Sequence, residues 1–151
     1  SEHGPKGGDE INTIDTTKTI QNYGWPISSY GEHYGNEKKD NSKLYKIAPL
    51  FKSHKDYGFI EPTKNYTPSI GISELILFDM LDQKILLASS LGNNVSEGDM
   101  SLHIYFFDKD NLKKYKSITL NERIRDMLYL EKKNLIILFL ESTSSIGVIK
   151  L

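Results

Sequence analysis

The sequence predicts an all-β, antiparallel fold, and three observations carry that prediction. Seven short segments, residues 70–78, 84–91, 101–108, 115–120, 124–131, 134–141 and 146–151, are rich in β-branched and aromatic residues and follow one another in tandem. Turn signals such as Asp108-Lys-Asp-Asn111 and Glu131-Lys-Lys-Asn134 separate them. No segment sustains a helical period of apolar residues.

Composition agrees with a globular chain. The 151 residues suffice for one domain with a sizeable core, and 38% hydrophobic with 26% charged residues is ordinary for such a chain. Net charge is -1, from 19 Lys and Arg against 20 Asp and Glu. That balance excludes a basic footprint for nucleic acid or a polybasic membrane patch and suits a neutral small substrate. The longest apolar run, residues 135–140, is far too short to span a membrane as a helix. With no cysteine there is neither disulfide nor thiolate chemistry.

The elements before the strand series are less regular. Residues 1–8 concentrate Gly4, Pro5, Gly7 and Gly8, which permit and fix unusual backbone, and Asp9 and Glu10 add hard oxygen donors. The same residues also suit a solvated turn. Residues 10–14 read as a short strand and 16–19 as a polar turn. Between Tyr23 and Tyr34 aromatic residues alternate with glycines, as in loops that lie over a β-scaffold. Residues 35–46 read as a charged surface excursion. Residues 47–68, with Pro49, Pro62 and Pro68, read as an ordered irregular loop. His54 stands among Ser53, Lys55 and Asp56 and reads as a solvated side chain, and His33 and His103 are read the same way. Asp108-Lys-Asp lacks the glycine and distal Glu of a calcium hand loop.

Two uncommon strings, His3-Gly-Pro-Lys-Gly-Gly-Asp-Glu-Ile-Asn12 and Asn22-Tyr-Gly-Trp-Pro26, followed by Asn121-Glu-Arg-Ile-Arg-Asp126, resemble the soluble quinoprotein aldose dehydrogenases, the glucose/sorbosone dehydrogenase family. The resemblance implies that residues 1–151 are a C-terminal portion of a six-bladed β-propeller of four-stranded antiparallel sheets. On that expectation the first four strands of the series form one blade, the last three most of another, and residues 1–67 part of a third.

The same resemblance assigns roles. The carbonyls of Gly4 and Pro5 are expected to hold calcium, with His3, Ser69, Arg123 and Arg125 contacting pyrroloquinoline quinone. Asp9, Glu10 and Tyr23 form or border a second, structural cation site. Physical chemistry agrees: calcium takes oxygen ligands, and Arg123 and Arg125, alternating with Ile124, point to one face of a strand where guanidinium groups could grip carboxylates. Without the resemblance, an Arg-x-Arg strand reads as a solvated face. The implied reaction is oxidation of an aldose at C1, in the periplasm or outside the cell.

Three departures qualify it. Ser90-Leu91-Gly92 stands where the family has a lysine after Ser-Leu, Glu141 stands for an aspartate, and the family's general-base histidine belongs to an N-terminal half with no counterpart in these residues. The leading expectation is therefore a cofactor-binding portion inactive by itself. The alternative is a non-catalytic, calcium-stabilised binding scaffold. An open arc of blades leaves apolar faces uncovered, so either self-association or a separate N-terminal chain is expected to complete it.

Overall fold

A computed structural model describes residues 1–35, 42–92, 99–108 and 111–151. It divides into two compact units, one of residues 2–69 and one of residues 70–151 together with Ser1.

The second unit is antiparallel β throughout. Strands β3 (Ile72–Met80), β4 (Gln83–Ser90), β5 (Ser101–Asp108) and β6 (Asn111–Thr119) form one four-stranded meander. Strands β7 (Ile124–Leu130), β8 (Leu135–Leu140) and β9 (Ser145–Lys150) form a three-stranded one. Each expected strand is present, 101–108 with the expected bounds and the others with ends shifted by a few residues. The largest shift is at β6, which starts at Asn111 instead of residue 115. Its lysines, at 113, 114 and 116, pair opposite Phe106, Tyr105 and Ile104. An edge strand tolerates such charges on its open side, so the hydrophobic pattern understates its length. Of the turn expected between β5 and β6, Lys109 and Asp110 lie outside the described residues, while Asp108 pairs with Asn111. Leu81 and Asp82 close the β3–β4 hairpin with φ of 50° and 61°, the paired left-handed conformation that matches strand twist.

The two meanders pack through Ile76, Phe78, Ile85, Leu87 and Leu102 on one side and Ile124, Met127, Ile136 and Leu138 on the other. Residues 85–90 of β4 are all buried, as expected of a strand covered on both faces. β8 differs. Its wholly apolar sequence reads as buried on both sides, yet only Ile136 and Leu138 are, and Phe139 is exposed.

The first unit is mostly loop. Strand β1 (Asp9–Ile11), shorter than the expected 10–14, pairs antiparallel with β2 (Lys64–Tyr66). The expected surface excursion lies in part, at residues 36–41, outside the described residues. The rest of it holds a short helix α1 (Lys43–Ile47), whose first turn is capped by Ser42 Oγ accepting from Leu44 N at 3.1 Å. Residues 47–68 are irregular as expected apart from β2 and a single 3₁₀ turn, Lys55–Tyr57, ended by Gly58 at φ 82°.

Candidate functional site

The glycine loop ahead of β1 is a close-packed backbone structure. A Cβ on Gly4 would lie 2.2 Å from the Gly7 oxygen, and one on Gly31 would lie 2.3 Å from that same oxygen. Lys6 and Glu32 exchange backbone hydrogen bonds of 2.9 and 2.8 Å, and Gly8 N donates to Tyr66 O at 2.8 Å. The glycines are therefore needed where backbone meets backbone.

Three residues singled out from the sequence meet here. Gly4 N and Ser69 Oγ both donate to Asp9 Oδ1, at 3.0 and 2.8 Å, although Ser69 and Asp9 are 60 residues apart. Asp9 is buried. Its carboxylate thus pins the turn that presents the Gly4 and Pro5 carbonyls. Among the described residues neither of those two oxygens accepts a hydrogen bond, which leaves a pair of adjacent carbonyls of the kind calcium takes. His3 is exposed beside them. No group of three or more His, Asp or Glu side chains positioned to hold a metal occurs among the described residues, so an ion at this turn would rest on main-chain oxygen.

The other two residues of the expected second cation site point elsewhere. Tyr23 donates its hydroxyl to Thr13 O at 2.9 Å and to Gln21 Oε1 at 3.1 Å. Glu10, 2% exposed, faces His54 Nε2 at 3.4 Å. Burial drives its carboxyl up to about 7, and Glu2 and Glu61 push the same way while the Asn12 amide opposes.

His54 corrects the expectation of a solvated side chain: it is only 1% exposed. Tyr30 packs on its ring at 5.2 Å, and Glu61 Oε1 accepts from its backbone N at 2.9 Å. A Cβ on Gly24 would lie 2.8 Å from its Cδ2, so the glycine of Asn22-Tyr-Gly-Trp-Pro26 makes room for the ring. Burial raises the Glu61 carboxyl, but hydrogen bonds from Lys55 N, Tyr30 Oη and His54 N outweigh it and hold the group below its usual range. Partial burial, together with the hydrogen bond it donates to Glu61, pushes the Tyr30 hydroxyl up to about 12.

The remaining histidines are also fixed, against expectation. His33 Nε2 lies 2.7 Å from Ala48 O. His103 is buried between Asp99 and Ser117, both at 2.9 Å. Nothing in the sequence beside His33 and His54 marks them, because Ala48, Gly24 and Tyr30 come from other parts of the chain, whereas His103 sits between Leu102 and Ile104 on β5 and is held by Asp99 close by in the sequence.

In the strand unit Arg123 and Arg125 share one side of the start of β7, as the alternation implies, and both pair with Glu141. Arg123 Nε is 3.2 Å from Glu141 Oε1, and Arg125 Nη2 binds Oε2. Arg123 Nη1 also donates to Gly92 O at 3.4 Å. Gly92 has φ 57°, and a Cβ there would lie 2.7 Å from Asp99 O, so a lysine does not fit this backbone. Glu122, not anticipated from the sequence, accepts from Arg123 N at 3.0 Å and Ser142 N at 2.7 Å and ties β7 to the β8–β9 turn. The hydrogen bonds from Ser142 lead in lowering its pKa.

Comparison with known proteins places these features in a lineage. An aldose sugar dehydrogenase of Escherichia coli K12, YliI, is 46% identical over 43 residues, which is 28% of this chain and 11% of that protein. An uncharacterized protein of Synechocystis is 34% identical over 79 residues, 52% of this chain and 16% of that protein. The aligned stretches thus span a small part of either relative. No solved structure gives a significant match. The family model described as Glucose / Sorbosone dehydrogenase matches residues 1–146. The chain belongs to the glucose/sorbosone dehydrogenase family.

Proposed function

We propose that this chain is the cofactor-holding, C-terminal portion of a quinoprotein sugar dehydrogenase that oxidises aldoses at C1. The observation that carries the reading is the Gly4-Pro5 turn: two adjacent carbonyls that accept no hydrogen bond among the described residues, held by a buried Asp9 that Gly4 and Ser69 both address. In this reading Gly4 and Pro5 bind calcium through main-chain oxygen. Asp9 and Ser69 fix the turn so that little reorganisation accompanies binding, and His3 borders the cofactor. Arg123 and Arg125 supply donors for the carboxylates of pyrroloquinoline quinone, with Glu141 keeping the guanidinium groups in place until then. When bound, the quinone accepts the hydride of the sugar and calcium polarises its carbonyl. The general base lies in another part of the enzyme, so the chain binds but does not turn over. The β-sheets are blades of an incomplete propeller, completed by a second copy or by a separate N-terminal chain, in an enzyme that works in the periplasm or outside the cell.

One observation favours a second reading. Glu141 engages both arginines and no lysine stands at position 92, which suits a calcium-stabilised scaffold that binds without a redox cofactor. A titration with the quinone and calcium, followed by dye reduction with several aldoses, separates the two. A calcium-dependent shift of the quinone's visible spectrum without turnover supports the first reading. No shift at any calcium concentration supports the scaffold.

A further inference from the structure

Between the two meanders of the strand unit lies an apolar cleft of about 310 Å³, at the lower end of the sizes that ligand pockets take. Its floor is the buried Ile85, Leu87, Leu102 and Ile136, and the exposed Leu81 and Tyr115 stand at its rim. Among the described residues no charged side chain lines it, and the polar groups of its lining are the Gln83 amide and the Tyr115 hydroxyl. We propose that this cleft binds a single-chain fatty carboxylate, whose alkyl chain fills the cavity and whose carboxylate meets Lys113 and Lys116 at the rim.

The register of β5 and β6 decides the head group. Residues directly opposite on paired strands share a face, and Leu102, Ile104 and Phe106, which line the cleft, stand opposite Ile118, Lys116 and Lys113. A bulge between Ile104 and Tyr105 leaves Tyr115 as the extra residue of β6, and its ring joins the lining against Phe106, with centroids 4.8 Å apart. The two exposed lysines therefore flank Tyr115 on the cleft side of the strand, and among the described residues neither enters an ion pair. Asp79 and Lys84, paired at 3.0 Å, belong to the other face of their sheet, because Phe78 and Ile85 on the next rung line the cleft. An apolar cavity edged by two unpaired ammonium groups fits an alkyl chain that ends in a carboxylate: the chain leaves water and the charge stays in it beside the lysines. Lysines on an edge strand oppose the addition of a further strand, which argues against a protein segment as the occupant. The proposal does not rest on the quinone reading.

The test is a titration of the intact chain with octanoate, decanoate and dodecanoate, each below its micelle concentration, followed by nuclear magnetic resonance of the methyl groups. It is run in EGTA and without quinone, so failure of the quinone reading is told apart from failure of this one. We expect saturable shifts at Leu102, Ile118 and Ile136, none at Val148 on the outer face of β9, and an affinity that rises about fourfold with each added methylene. Lys113→Gln combined with Lys116→Gln should weaken decanoate binding about fivefold and leave the binding of uncharged decanol unchanged. No saturable shift, shifts confined to the outer face, or a folded double variant that binds decanoate as the wild type does would each overturn the proposal. Cleft signals that move with protein concentration alone, and not with decanoate, would give the cleft to a second copy of the chain and overturn it as well. If the double variant does not fold, salt decides on the wild type: added sodium chloride should weaken the binding of decanoate and not of decanol, and equal responses would overturn the proposal.

Discussion

Gly4 has no room for a side chain, because the Cβ would sit 2.2 Å from the Gly7 oxygen. Gly4→Ala must therefore open the turn, and we expect it to cost about 1–3 kcal/mol of stability, measured by chemical denaturation. It should also abolish calcium-dependent quinone binding. Glu122 yields a pH prediction with a definite sign. Its pKa is lowered in the folded chain by the Ser142 hydrogen bonds, so its contribution is present above the ordinary carboxylate range and disappears as pH falls through its folded value. Glu122→Gln should be less stable than wild type at neutral pH, and the two unfolding midpoints should converge in acid. Single residues were unevenly legible in the sequence. Gly4, Asp9 and Ser69 were marked by resemblance, but no pattern shows that Asp9 binds Ser69 across 60 positions. His54 was misread because Ser53, Lys55 and Asp56 are polar, whereas its cover is built from Gly24 and Tyr30.

At the scale of elements, β-branched and aromatic content between turn residues locates the strands, and the burial of β8 tests the assignment of faces. Ile136 points into the core between the two meanders, and Val148 on β9 points to the open side. Ile136→Ala should cost about 2–5 kcal/mol, since it removes core contacts and leaves a cavity. Val148→Thr should fall within about 0.5 kcal/mol of wild type, as surface changes do. Equal effects would show the faces misassigned. Where the strand reading fell short, at the start of β6, the reason is physical: an edge strand needs apolar residues on one side only, and Lys113, Lys114 and Lys116 dilute the β-branched and aromatic content that marks a strand. Helix α1 was missed because five residues held by one serine cap carry too little period to read.

For the whole molecule, the outer face of the β7–β9 meander is the dominant feature of the strand unit. Leu128, Phe139, Ile146 and Val148 are exposed there together, with Phe139 directly opposite Ile146. A contiguous apolar face of this kind favours association. Light scattering should show species larger than a monomer, and Ile146→Lys combined with Val148→Lys should shift the population towards monomer without loss of strand content. The central claim is that the Gly4-Pro5 turn makes this chain a calcium-dependent quinone binder. Its most direct test is the affinity for pyrroloquinoline quinone, measured by calorimetry across a calcium series, in the wild type and in Gly4→Ala. Affinity that climbs with calcium in the wild type and is flat or lost in the variant is the predicted result. Affinity independent of calcium, or equal in the two proteins, would contradict it.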